Sequence, residues 1–312
     1  MECPANNIKV SIAVITYNHE KFIREALDSI LSQVINFKID INIGDDFSTD
    51  NTRAILEEYK CRYPDIINLI LHTTNIGMMN NFASTLQACK GKYIALLEGD
   101  DYWCDVNKLQ TQVDFMDKNE GYAISFHKVK KIFDDTDNEE IILNNELIKD
   151  TYEIDDLLPG NFIFTNSVLY RNNLFATFPK GFLDLPMGDW PLHILNAKYG
   201  KIHFSNKVMS VYRIHGSSEW SSKTKMYRKN ANLKTYYFIK ENIPDKYKDV
   251  VRSKISVLHT GLALNEFRVC NYSGFIKHIL KGMFIFPYIG YLTSNMVRES
   301  IRNEYNAWIN SR

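Results

Sequence analysis

The sequence predicts an α/β protein, a mostly parallel sheet flanked by helices and followed by a helical carboxy-terminal segment. Three observations carry this. Apolar runs of strand length alternate with helical periodicity over the first third of the chain, the strand-like runs end in short polar turns, and strand signals give out near Lys223. Such alternation implies right-handed crossovers, which bring the carboxyl ends of neighbouring strands to one crevice.

Val10 to Thr16 reads as a first buried strand, Tyr17-Asn18-His19 as a turn, and Phe22, Ile23, Ala26, Leu27, Ile30 and Leu31 as the apolar face of a helix. Ile39 to Ile43 forms a second strand, ending in Gly44-Asp45-Asp46-Phe47-Ser48. Ser48 to Thr52 resembles a capped helix entry, and Ile55, Leu56 and Tyr59 supply the next apolar face. Asn68 to His72 is a short third strand, and Met79 to Ala88 carries helical spacing. Tyr93 to Leu97 is the central strand. Beyond it, a helix is expected over Asp105 to Asp117, a strand over Tyr122 to Val129 and another over Asn161 to Tyr170. Asp189 to Tyr199 reads as a helix closed by Gly200, and Val208 to His215 as a last strand before Gly216-Ser217-Ser218. The acidic run Asp134 to Glu140 reads as a solvated loop. From Lys223 the texture becomes helical, so a boundary is placed there, with domains 1–222 and 223–312.

The stretch Ala-Leu-Leu-Glu-Gly-Asp-Asp-Tyr-Trp, 95 to 103, empties a buried strand directly into Glu98, Asp100 and Asp101. Carboxylates at the carboxyl end of such a strand can grip a divalent cation or a sugar hydroxyl. On these residues alone, a turn in which Asp100 or Asp101 caps the next helix reads equally well. Convergence favours a site: Thr16 and Tyr17, then Asp45 and Asp46, then Asp100 and Asp101 all fall in loops that open on the same crevice.

Thirty-seven basic residues balance thirty-seven acidic ones in 312, so no overall field recruits nucleic acid, and no nucleic-acid partner is expected. Five cysteines without a close pair fit neither a zinc site nor a disulfide framework, which suits a reducing compartment. The start, Met-Glu-Cys-Pro-Ala-Asn-Asn, lacks the basic and apolar regions of a signal peptide, so a cytoplasmic protein is expected. The apolar stretch Met283 to Leu292 contains Pro287 and Gly290 and is too short to span a bilayer. Lys277, His278 and Lys281 before it read either as a basic aromatic surface for anionic lipid or as part of a buried helix pair.

Four motifs in order, Val-Ser-Ile-Ala-Val-Ile-Thr-Tyr-Asn (10 to 18), Ile-Gly-Asp-Asp-Phe-Ser-Thr-Asp-Asn-Thr (43 to 52), Gly-Lys-Tyr-Ile-Ala-Leu-Leu-Glu-Gly-Asp-Asp-Tyr-Trp (91 to 103) and Gly-Asp-Trp (188 to 190), resemble glycosyltransferase family 2 over about the first 220 residues. The resemblance implies the GT-A (Rossmann-like) fold and inverting transfer of a sugar from a nucleotide diphosphate, most often a UDP-sugar, to an acceptor hydroxyl. It assigns Thr16 and Tyr17 to the nucleotide pocket, Asp46 to the base, Asp45 to the turn beside it, Asp100 to the ribose and Asp101 to a Mn2+ or Mg2+ ion. Phe47 departs from the family, which usually has Gly there, and Glu98 stands where the metal motif begins with Asp.

By the same resemblance Asp189 is the catalytic base. A carboxylate opposite the leaving group can take the acceptor proton; a helix cap with Pro191 just inside reads the same residues structurally. Trp190 reads either as a stacking surface for a sugar or acceptor or as a buried core residue. His215 reads either as a metal ligand or as a structural residue at a strand end, Arg213 is expected at a phosphate oxygen, and Asn75, Asn80 and Asn81 lie near the donor in the family or serve as polar surface. His193 is left without a role. Bacterial family members often build surface polysaccharides on lipid carriers, so a glycan or lipid-linked acceptor is expected, with the helical carboxy-terminal segment either completing the acceptor side or giving the chain peripheral membrane contact. Two other functions compete: a sugar nucleotidyltransferase, which normally needs a Gly-rich basic loop where this chain has Thr-Tyr-Asn-His-Glu, and a nucleotide-sugar-binding protein without turnover.

Overall fold

The structure, a computed structural model, describes residues 8–134, 140–216, 220 and 222–285. The start at 1–7, most of the acidic run 134–140, Ser217 and Ser218, and the 286–292 part of the apolar stretch lie outside the described residues. The chain divides after Ser222 into two compact units.

In the first unit β1 (Val10–Thr16), α1 (Ile23–Leu31), β2 (Ile39–Asp45), α2 (Thr52–Arg62), β3 (Ile67–Leu71), α3 (Met78–Ala88) and β4 (Tyr93–Glu98) alternate. Then come β5 (Tyr102–Trp103), α4 (Lys108–Lys118), β6 (Tyr122–Phe133), β7 (Ile141–Leu143), β8 (Thr151–Tyr152), α5 (Ile154–Leu157), a 3₁₀ turn (Thr165–Ser167), β9 (Leu169–Arg171), α6 (Asp189–Ala197) and β10 (Lys201–Ile214). One sheet runs β3-β2-β1-β4-β9-β6-β10-β5, with β7 on β6 and β8 on β10. β1, β2, β3 and β4 pair in parallel, β10 pairs in parallel with β6, and the short β9 and β5 are antiparallel to their neighbours. This is an α/β sheet of the expected class.

The central strands are buried along almost their whole length because both faces are covered: Val10, Ile12, Val14, Ile41 and Ile43 have no exposure, and Ile23, Leu27 and Ile30 of α1 close over them. A Cβ on Gly44 would lie 2.1 Å from Thr85 Oγ1 and 2.3 Å from Asn81 Oδ1. The bare backbone there lets α3 press onto the end of β2, where Asn81 Nδ2 donates to Gly44 O at 2.9 Å.

Three expectations change. The strand expected over Asn161 to Tyr170 shrinks to β9, because Asn161 bonds the Ile163 N–H and the 3₁₀ turn carries a buried Asn166. β10 begins at Lys201 rather than Val208, since the polar Ser205-Asn206-Lys207 is absorbed as a register shift against β6. Ser48 does not cap α2: its hydroxyl bonds the Asp45 carboxylate, and α2 follows Asn51 without a side-chain cap.

The second unit holds α7 (Lys225–Asn242), α8 (Lys248–Arg268) and α9 (Tyr272–Ile285). α9 packs on α8: Ser256 Oγ donates to Gly282 O at 3.0 Å, and the Nδ1 atoms of His259 and His278 lie 2.8 Å apart.

Lys108 of α4 is wholly buried, its Nζ 2.9 Å from Gln112 Oε1 and 4.1 Å from the centre of the Trp103 ring. Burial pushes its pKa down to about 7. Between that value and the unfolded lysine value of about 10.4 the unfolded chain binds more protons, so stability rises with pH across the interval, and the full cost is present below it. Lys108→Met should therefore raise the urea midpoint at pH 7 and flatten its rise toward pH ~10. A midpoint that still climbs as in the parent would show that Lys108 is not the group responsible.

Candidate active site

The strand register builds the site. Thr16 lies beside Asp45 and Ile15 beside Glu98, so three parallel strands deliver their last residues side by side. The Asp46 N–H donates to Thr16 O at 3.1 Å and binds the two turns together. Tyr17, 44% exposed, stands free at this edge.

Asp45 has no exposure and accepts from the Ser48 N–H at 3.0 Å and from Arg53 Nε at 2.5 Å. Its carboxylate shapes the turn and is unavailable to a ligand. Asp46 accepts from the Ile76 N–H at 2.7 Å, and Asn75 Nδ2 donates to Asp46 O at 3.1 Å, which draws the loop before α3 onto the turn. Phe47 sits at φ +63°, a left-handed conformation that glycine adopts freely, and its ring lies 5.2 Å beneath the Arg53 guanidinium.

At the end of β4 the two aspartates part. Asp101 is 2% exposed; Asn166 Nδ2 donates to its Oδ2 and the Arg213 N–H to its Oδ1, both at 2.9 Å. Both oxygens of the residue expected to meet the cation are thus taken by protein donors. Asp100 Oδ2 lies 3.0 Å from His215 Nε2 and 3.9 Å from His19 Nε2. Burial opposes ionisation of Asp100, but the His215 bond and the His19 charge outweigh it and hold its carboxyl below the usual range. Gly99 makes this crowding possible, because a Cβ there would lie 2.8 Å from both Thr16 Oγ1 and His19 Nδ1. Those two atoms are buried without a hydrogen-bond partner among the described residues.

Asp189 opens α6, where Asn161 Nδ2 donates to its Oδ2 at 2.9 Å. Burial raises its carboxyl pKa, against the N–H groups of the helix start. It also belongs electrostatically to the end of β4: burial, then Asp100 and Asp189, push Glu98 up to about 8. Tyr212 of β10, raised first by burial, feels Glu98, Asp101, Asp100 and Asp189 together. Four carboxylates from β4, the turn after it and α6 thus share one neighbourhood.

Other expectations change here. Trp190 is 2% exposed and donates from Nε1 to Leu157 O at 3.2 Å, so it packs the core rather than offering a sugar platform. Arg213 bonds Asp100 O, Asp134 and Glu25, which occupies the guanidinium expected at a phosphate. Asn81 is buried against Gly44, and Asn80 Nδ2 bonds Ile76 O. His193, for which no role is expected, is buried between Tyr170 and Ile163 O. Glu98 joins Asp100 and Asp101 as the acidic run implies, whereas the sequence gives His19, Asn161, Asn166 and Tyr212 no site role; the two asparagines were legible only from their interruption of an apolar stretch.

Among the described residues no three His, Cys, Asp or Glu side chains form a cage for a metal. Asp100 with His215, next to the unpartnered His19 Nδ1 and among mutually repelling carboxyls, is nonetheless a donor set that fits a divalent cation completed by diphosphate oxygens.

A parallel sheet that gathers the turns after β1 and β2 and a carboxylate cluster at the same strand ends is the GT-A arrangement. The sequence model of glycosyl transferase family 2 matches residues 11–178, and the chain belongs to that family. An uncharacterized protein of Mycobacterium tuberculosis is 40% identical over 214 residues, 68% of this chain and 61% of its own length, so the chain spans about three fifths of that relative. WfaP of Escherichia coli, a UDP-Glc:alpha-D-GlcNAc-diphosphoundecaprenol beta-1,3-glucosyltransferase, is 34% identical over 133 residues, 40% of this chain and 48% of that protein. S. aureus TarS 1–349, solved with UDP-GlcNAc, superimposes with a TM-score of 0.69 at 18% identity, covering 98% of this chain and 93% of TarS. The Pyrobaculum calidifontis mannosyltransferase PcManGT, solved with GDP-Man and Mn2+, gives 0.58 at 15% identity, covering 97% and 84%.

Asn166→Ala should leave Asp101 Oδ2 and Val211 O without the amide that joins them, costing about 3 kcal/mol in urea unfolding. A loss below about 1 kcal/mol would mean that Asp101 finds another donor.

Proposed function

We propose that the chain is an inverting glycosyltransferase that moves a sugar from a nucleotide diphosphate donor, a UDP-sugar, to a hydroxyl of a glycan or lipid-linked acceptor in surface polysaccharide synthesis. One observation carries the reading: Asp189 at the start of α6 stands within electrostatic reach of Glu98 at the end of β4, and Tyr212 feels both of them together with Asp100. Inversion needs a proton acceptor across a cleft from the leaving group. WfaP, named for a UDP-Glc donor, and TarS, solved with UDP-GlcNAc, support a UDP-sugar, and PcManGT, solved with Mn2+, supports manganese.

In this reaction Thr16, Tyr17 and Asp46 receive the nucleoside, and Asp45 keeps their turn rigid. Asp100 and His215 would hold the cation, a role moved from Asp101 because both Asp101 oxygens are engaged by Asn166 and Arg213. A divalent cation held there would supply positive charge against the diphosphate. Asp189 takes the proton from the attacking hydroxyl, and Asn161 Nδ2 fixes the orientation of its carboxylate. Residues 1–222 carry these roles, and 223–312 serve the acceptor side or the placement of the enzyme.

A thermal-shift screen of UDP-, GDP-, dTDP- and CMP-sugars should give a manganese-dependent rise with one donor. No rise with any would overturn the pocket. Asp189→Asn should lower kcat by about 10²–10⁴-fold while keeping that rise; unchanged turnover would remove Asp189 as base.

The base must be deprotonated, and burial raises its pKa, so activity should fall with decreasing pH in a limb above the ordinary aspartate value of about 4. A kcat/KM profile flat down to about pH 4 would contradict that assignment.

A further inference from the structure

We propose that α9 is an interfacial helix that seats the chain on an anionic lipid surface. Tyr272, Ile276, Leu280, Met283 and Phe284 are 59, 55, 49, 46 and 82% exposed. Their spacing puts them on one side of the helix. The opposite side is fixed to α8: the Phe275 ring lies 5.6 Å from that of Phe267, His278 meets His259, and the Gly282 carbonyl accepts from Ser256. The apolar side is therefore held outward by packing.

Charge selects the occupant. α9 contains no acidic residue, and its two cations, Lys277 and Lys281, are exposed and fall along one edge of the apolar side at helical spacing. The chain's formal net charge of zero conceals a segregation: 21 basic and 31 acidic residues up to Ser222, then 16 basic and 6 acidic from Lys223 onward. An apolar side edged by lysines on a strongly cationic unit is what an anionic bilayer surface attracts. A second copy docked face to face would set those lysines against their own symmetry mates. Nucleic acid would pair with the cations and leave Ile276, Leu280 and Met283 in water. No helix among the described residues is long and apolar enough to cross a membrane, so α9 lies on the surface rather than spanning it.

The test is co-sedimentation of the full chain with vesicles of phosphatidylcholine alone or with about one third phosphatidylglycerol, at low and high salt. Binding should require phosphatidylglycerol and weaken with salt. Lys277→Gln with Lys281→Gln should weaken it about thirtyfold, at about fivefold per cation near the surface. Ile276→Asp with Leu280→Asp should abolish it, with helix content and the donor-induced thermal shift unchanged. Absence of phosphatidylglycerol-dependent binding, or variants that bind like the parent, overturns the proposal. So does a change in sedimentation-equilibrium mass without a change in vesicle binding, which would make a second copy the occupant. Because the thermal shift is read on the same samples, the fate of the donor pocket is decided separately.

Discussion

The site depends on the clasp around Asp101. Burial, then the neighbouring Asp100 and Glu98, push the Asp101 carboxyl well above the usual range, and well-placed donors offset part of that cost. Here one donor is the Asn166 amide of the 3₁₀ turn and the other the Arg213 N–H of β10, so one side chain joins three segments distant in sequence. Asn166 is itself over-determined: its carbonyl accepts from Trp103 Nε1, its side-chain oxygen from Ser210, and its amide also reaches Val211 O. With Asp101 immobile, the preceding residue has little freedom, and Asp100 meets His215. Two adjacent aspartates thereby take opposite duties, one inside the protein and one at the cleft.

The second constraint is electrostatic. Burial and the neighbouring Asp100 and Asp189 hold Glu98 near pKa 8, because several carboxyls in a poorly solvated cleft cannot all ionise. His19, held below its ordinary pKa chiefly by burial, favours the charged form of Asp100 but is not among the groups acting on Glu98. In the proposed reaction a diphosphate alone would be repelled by this cluster, and a cation alone would find few ligands. Binding either one should make the site more favourable for the other, a coupling that acts equally in both directions.

The alternation from β1 to β4 was legible because long, continuous apolar runs leave few alternatives when both sheet faces are covered. What escaped were places where a polar side chain serves a distant partner. Asn166 looks like a residue in a strand, yet its task is set by Asp101, 65 positions away. Ser48 has the chemistry of a helix cap and bonds Asp45 instead. Arg213 has the chemistry of a phosphate ligand, but Glu25, Asp134 and the Asp100 carbonyl reach it within the fold. Trp190 exposes no ring because its N–H already has the Leu157 carbonyl. Local pattern reports which side chains can bond, and only topology reports what they meet.

Composition misled for a related reason. A net charge of zero is a sum, and a sum cannot register that acidic residues prevail before Ser222 and basic ones after it. The excess of acid accompanies the carboxylate cleft, where it sets a field that disfavours phosphates unless a cation intervenes locally. The excess of base accompanies helices whose outward apolar side chains have no use in water. Screening confines surface charge effects to about 8 Å at physiological ionic strength, so what a surface attracts depends on the charge close to it rather than on the sum over the chain. Each unit must therefore be understood by the charge it carries itself.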